Sequence, residues 1–218
     1  MSRVTVYIDG LNFNYGLRRM AANDHDWQKL FWLDFVKLFE LLTDTFYQRP
    51  ILQKVVFFTS IPVKESKKKQ QDALLKANRL LNGKRFEVIL GKYYDKEYIC
   101  PKCGNKYTIP EEKLTDVNIS AQMMRDCAKN NTDILFLVSA DSDLIPPLKI
   151  INSDYPEKTV TVIFPPNNFS YDINNLIKSY KSNVILLEKN KRKFIASVMP
   201  DIVTVNGKSS TIPPEWKV

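Results

Sequence analysis

Six short, mostly apolar runs recur along the chain: VTVYID (4–9), KVVFFTS (54–60), RFEVILGKY (85–93), DILFLVS (133–139), TVTVIF (159–164) and NVILLE (183–188). A strand with one face in water alternates polar and apolar residues, whereas near-continuous apolar strands are covered on both faces. Helical patterns separate them, at DFVKLFELL (34–42), ESKKKQQDALLKANRLLN (65–82), DVNISAQMMRDCAKN (116–130), SDLIPPLKIIN (142–152) and SYDINNLIKSY (170–180). Strands joined through helices must pair in parallel. The expectation is an α/β fold, a three-layer α/β/α sandwich with a mostly parallel central sheet. Pro146 and Pro147 fall inside one helical pattern, where each removes a backbone donor, so that helix should be short or kinked.

A length of 218 residues suits one domain with a core on both sides of a sheet. The expected organisation is a domain over residues 1–188, followed by a basic helix and tail over 189–218 that could pack on the domain or hang free. The aromatic-rich stretch RMAANDHDWQKLFWL (19–33) has no clear period and suggests a flap beside a cleft, or part of a dimer surface. No apolar run is long enough to span a bilayer, and the start MSRVTVYIDG lacks the features of a secretory signal, which points to the cytoplasm and away from membranes. Lys and Arg number 32 against 24 Asp and Glu, and the resulting +8 favours a polyanionic partner such as nucleic acid. Three cysteines argue against a disulfide framework, and the single histidine, His25, leaves little for chemistry built on imidazole.

Where, then, would chemistry reside? In an open parallel α/β sheet, ligands bind at the carboxyl ends of the strands. Asp9 ends the first run, Asp141 and Asp143 follow the fourth in LFLVSADSDLIPPL, and Asp116 opens a helix, so four carboxylates should meet at one edge. Singly, each has a plainer role: Asp116 and Asp141 as helix caps, Asp9 in a turn with Gly10. Together they repel one another unless a cation neutralises them, and Mg²⁺ or Mn²⁺ prefers such oxygen ligands. An acid-bound cation on a basic protein suggests phosphodiester hydrolysis, which needs no histidine.

Three segments, VYIDGLNFNYGL, TDVNISAQMM and LVSADSDLIPPLK, resemble the signatures of the NYN domain family, the LabA-like branch of the PIN-like nucleases, in a likeness spanning roughly residues 3–188. The resemblance implies a PIN-like fold and metal-dependent cleavage, usually of RNA. It places Asp9, Asp116, Asp141 and Asp143 at metal-binding positions, Asn12 in a supporting or substrate-contacting role, and Ser139 at the small polar position before the acid pair. Departures are Ala140 for a usual Gly, Leu144 for a common aromatic, and KLTD (113–116) for a frequent KGVD; none removes a carboxylate. Two rivals remain: a non-catalytic RNA-binding module of the same fold, and a DxD phosphatase or glycosyltransferase read from DSD alone. The second ranks low, because in such phosphatases the pair follows the first strand.

Lys64, Lys67 and Lys68 follow the second run at the catalytic edge and are expected to contact phosphates. Tyr15, Arg18 and Arg19 flank the first motif and could stack on or clamp bases, with packing inside the first helix the competing role for Tyr15. Cys100 and Cys103 in YICPKCGNKY form half of a tetrahedral zinc site; with two ligands missing, a vestigial turn is favoured over zinc, and a homodimer could supply the missing pair. Cys127 fits the core as a small apolar residue.

Overall fold

The computed structural model describes residues 2–48, 50–180 and 182–217. The chain runs β1 (Arg3–Asp9), α1 (Gly10–Asn23), a 3-10 turn (His25–Phe31), α2 (Phe35–Phe46), β2 (Ile51–Thr59), α3 (Glu65–Asn82) and β3 (Phe86–Leu90). A hairpin of β4 (Lys92–Ile99) and β5 (Lys106–Lys113) leads into α4 (Thr115–Ala128), then β6 (Ile134–Val138), α5 (Ile145–Asp154), β7 (Thr159–Phe164), α6 (Tyr171–Ser179) and β8 (Asn183–Leu186). Helix α7 (Lys191–Ala196) and a second hairpin, β9 (Ile202–Val205) and β10 (Lys208–Thr211), complete it.

Six strands form one sheet in the order β3-β2-β1-β6-β7-β8, and every adjacent pair is parallel. Successive side chains of a strand point to opposite faces. Accordingly Val4, Val6 and Ile8 pack with Phe13, Phe35, Phe39 and Leu75, while Tyr7 packs with Ile119, Met123, Leu148 and Ile173 on the other side. Helices α1, α2, α3 and α7 thus cover one face and α4, α5 and α6 the other. The three-layer α/β sandwich expected from the near-continuous apolar strands is what the chain forms.

One buried polar node sets the position of α4. The Tyr7 hydroxyl donates to Asp126 (2.9 Å), which also accepts from Gln122 (2.8 Å) and Asn131 (3.1 Å). Burial, then the Asp126 charge, holds the phenol well above its ordinary pKa, so it stays a donor. The far end of α4 is thereby pinned to the middle of β1.

Several elements differ from expectation. Residues 19–33 form no flap: α1 continues to Asn23, and Trp27, Leu30 and Trp32 turn into the core, with the Trp27 ring edge-on to Phe194 at 5.3 Å, while Arg19, His25, Asp26 and Lys29 stay exposed. Of the two outcomes expected at Pro146 and Pro147, a short helix is found and a kink is not: α5, 10 residues long, starts beside them after a 3-10 turn (Ser142–Leu144), where first-turn N–H groups have no intrahelical acceptor to lose. The run expected over 85–93 stops at Leu90, and Lys92 opens the β4–β5 hairpin. After α7 the expected tail folds into the β9–β10 hairpin, whose Val203 joins Ile212 and Trp216 in a small cluster over Trp32 and Ala77. Val218, the last residue of that tail, lies outside the described residues. No helix among the described residues is long and apolar enough to cross a membrane.

Candidate metal centre

The strand order reverses between β1 and β6, since the chain builds outward from β1 to β3 and then returns to β1's other side. Such a switch point opens a crevice at the carboxyl ends of the two strands. Asp9 is the last residue of β1, Ser139 to Asp141 follow β6, and Asp116 lies in the first turn of α4. One carboxylate oxygen from each of Asp9, Asp116 and Asp141 lies within 4.8 Å of the others.

Capping and clustering are combined at two of these residues. Asp9, only 4% exposed, caps α1 by accepting from the Asn12 N–H (3.0 Å), and its other oxygen accepts from the Ser139 hydroxyl (2.9 Å). Ser139 in turn accepts from the Asp141 N–H (3.1 Å), and Asp141 accepts from the Asp143 N–H (3.0 Å). Asn12 accepts from the Ala140 N–H (3.0 Å) and the Asn168 amide (2.6 Å), tying α1 to the loops after β6 and β7. Asp116 is no cap: Leu114 holds that position.

The electrostatics are those of acids lacking a counter-charge. Burial raises Asp9 to about 6, opposed by the hydrogen bonds from Asn12 and Ser139. Burial also raises Asp116 to about 6, followed by the charges of Asp141, Asp9, Glu112 and Asp143. None of the three clustered aspartates is in an ion pair among the described residues. Three hard oxygen donors converging without a cationic side chain suit a divalent cation of the Mg²⁺ or Mn²⁺ type. Asp143 is exposed and outside the converging trio, yet near enough for its charge to raise Asp116.

Around this centre, Tyr15, Arg18 and Lys67 line a cavity of about 130 Å³ with Gly10, Gln71 and Tyr93. Tyr15 also borders an open cleft with Asn12, Arg19 and Asn168. Lys64 immediately precedes α3, and Lys68 lies in its first turns; neither lines that cavity. Ser139, expected among substrate contacts, is fully buried and spends its hydroxyl on Asp9. Glu112 and Asn168 were not singled out by sequence. Glu112 accepts from Ser60 (2.9 Å) and Thr115 and raises both Asp9 and Asp116, and the double acid of PEEKLTD was the available signal.

Two backbone positions shape the centre. Gly10 is not a turn glycine: it opens α1 where a Cβ would lie 2.6 Å from the Phe58 carbonyl oxygen and against the Phe57 ring. Leu114, at φ 78°, is left-handed just before Asp116, at the position where the KGVD pattern has glycine. A left-handed L-residue costs about 1–2 kcal/mol, and this side chain is 43% exposed, so little burial offsets it. Leu114→Gly should therefore raise stability by about 1 kcal/mol, read as a melting temperature higher by a few degrees. A lower melting temperature would mean that Leu114 packs more usefully than its exposure indicates.

The NYN domain model matches residues 3–181, most of the chain and all of these acids. The chain belongs to the NYN domain family. NYN domains are PIN-like and typically nucleases, and they imply a nucleic-acid substrate. The chain is also similar to the 6-hydroxy-3-succinoylpyridine 3-monooxygenase HspA of Pseudomonas putida (strain DSM 28022 / S16), at 26% identity over 98% of this chain and 74% of that protein.

Proposed function

We propose that this NYN protein hydrolyses phosphodiester bonds of RNA, with Mg²⁺ or Mn²⁺ held by Asp9, Asp116 and Asp141. The observation that carries the reading is the convergence of three carboxylates, from three separate elements, at the sheet's switch point. A bound cation would supply charge neutralisation at the scissile phosphate and acidify water. The chain's own residues do the rest. Asp143, exposed beside Asp116, orients the attacking water through a hydrogen bond. Asn12 and Ser139 hold the acids in register, Ser139 through Asp9 and Asp141, Asn12 by capping contact and by bracing the loops. Tyr15 and Arg18 stack on or clamp single-stranded bases, and Lys67, with Lys64 and Lys68 behind it, meets phosphates. Binding should weaken steeply with salt, as the +8 charge predicts. A cytoplasmic setting fits this substrate.

The test is cleavage of end-labelled single-stranded RNA and matched DNA by wild type and Asp141→Asn, with Mn²⁺, Mg²⁺ or EDTA. Expected are cuts by wild type alone, stopped by EDTA, with RNA preferred. If neither protein cuts while both retain RNA, the domain is a binding module and the catalytic reading fails.

A second reading has its own support. The similarity to HspA covers nearly the whole chain, and the 130 Å³ cavity is lined by Phe13, Phe31, Phe35, Phe57 and Trp216, dimensions and surfaces that suit a small aromatic ring. Incubation with 6-hydroxy-3-succinoylpyridine, O₂ and a two-electron reductant tests it, and an oxygenated product in the mass spectrum would favour it over nuclease action.

A further inference from the structure

The β4–β5 hairpin pairs with no strand of the central sheet and projects as a two-stranded arm, roughly 27 Å long at the rise of an eight-residue antiparallel strand. Its shaft is stiffened from side to side. The Tyr98 and Tyr107 rings stack at 5.7 Å, Lys96 sits 5.2 Å from the Tyr98 ring, and Glu111 accepts from the Tyr98 hydroxyl while pairing with Lys96 (3.0 Å) and Lys113 (3.1 Å). At the end of the arm stands the sequence Cys-Pro-Lys-Cys-Gly.

The tip is a closed turn. The Cys100 N–H donates to the Asn105 carbonyl (2.9 Å), and the Gly104 N–H donates to the Cys100 carbonyl (2.9 Å), with Gly104 at φ 70° as such a turn requires. The turn carries two free thiols, Cys100 half-buried and Cys103 exposed, three residues apart. Two cysteines placed by a closed hairpin turn at Cys-x-x-Cys spacing are the arrangement a zinc ion meets in a zinc knuckle.

Among the described residues nothing completes the tetrahedron: the only group of three or more candidate metal ligands there is the aspartate trio. Cys127 is 3% exposed on the buried face of α4, and His25 belongs to the 3-10 turn before α2. Structural zinc is almost always four-coordinate, so the remaining ligands must come from outside the chain. A second copy brings an identical pair, and a two-fold axis through the metal makes the contact self-complementary. Ile99 and Tyr107, 64% and 47% exposed next to the turn, would be covered by the same contact.

We propose that the hairpin tip is half of a tetrathiolate zinc site, completed by the same two cysteines of a second copy, with one zinc per two chains. The proposal is independent of the nuclease reading, since it uses neither the acid cluster nor nucleic acid. The experiment loads the full chain with Zn²⁺ under a phosphine reductant, desalts it, and measures zinc content and mass by sedimentation. Cobalt substitution reports thiolate ligation through its charge-transfer absorption, which carboxylates do not give. Expected are a cysteine-dependent half-equivalent of zinc, a dimer that a chelator returns to monomer, and thiolate–cobalt bands. The double variant Cys100→Ser, Cys103→Ser should lose all three while melting as the wild type does. One zinc per monomer, no cysteine-dependent zinc, or a dimer indifferent to both chelator and the double variant would overturn it.

Discussion

Asp116→Asn should lower metal-dependent cleavage by well over a hundredfold and, in the same molecule, stabilise the metal-free protein at neutral pH. The first effect follows because residues that merely orient metal ligands are worth about 10–100-fold, and a ligand is worth more. The second follows from the absence of any hydrogen bond to the Asp116 carboxylate among the described residues, set against its burial and four neighbouring acids. A carboxyl raised to about 6 in the fold, against roughly 4 in the unfolded chain, binds its proton more tightly when folded. Its contribution to stability is thus complete below about pH 4 and lost as pH rises through about 6. Full conversion of that shift would give nearly 3 kcal/mol, but the group is half-exposed and screened, so on the order of 1 kcal/mol is expected at pH 7. Melting temperature against pH in EDTA checks the sign: wild type should lose stability between pH 4 and 6, and the variant should lose less. Mn²⁺ should then raise the wild-type melting point at pH 7 more than the variant's, because a ligand stabilises the state that binds it. A variant less stable than wild type in EDTA would show that the fold already compensates the Asp116 charge.

That combination, a cluster that weakens the free protein and serves the loaded one, was legible in part from sequence. Asp9, Asp116 and Asp141 could be placed at one edge because apolar runs end at two of them and a helix begins at the third, and the parallel-sheet rule does the rest. The rule speaks only of edges. It could not separate Asp143 from the converging trio, since a 3-10 turn between them decides where each carboxylate goes. Nor could it find Glu112, whose strand was invisible: β4 and β5 alternate tyrosines, lysines and acids with both faces largely in water, so no hydrophobic pattern marks them. The inward turn of Trp27 and Leu30 was hidden for the opposite reason, because a 3-10 helix has no 3.6-residue period to recognise. Ser139 and Asn12 were selected for polarity at the right place, but their actual bonds depend on loops whose geometry sequence does not carry.

Asn78→Leu should cost about 4 kcal/mol and leave activity per folded molecule unchanged. Asn78 sits one turn from the C-terminal end of α3, where a polar residue at a buried helix position gives no sequence cue beyond an interruption of the apolar face. In the fold it is fully buried, accepts from the Phe35 N–H (2.9 Å) and donates to the Leu33 carbonyl (2.8 Å). Phe35 is the first residue of α2, whose N–H has no intrahelical acceptor, so Asn78 is the group that satisfies it. Leucine of similar volume would leave both backbone groups buried and unpaired, at roughly 1–3 kcal/mol each, with little apolar gain because the site is already packed. The third bond of Asn78, to the Leu74 carbonyl, runs along its own helix and matters less. For a chain of this size the loss should lower the melting temperature by on the order of 10 °C. Activity should survive because α3 meets the acid centre from its other end, where Gln71 donates to Thr59 and to the Ser60 carbonyl, and Ser60 donates to Glu112. A near-neutral melting temperature would indicate that water or a backbone shift replaces the amide. Lost activity in a folded variant would mean instead that the seam between α2 and α3 governs the position of Gln71, and through it the acids.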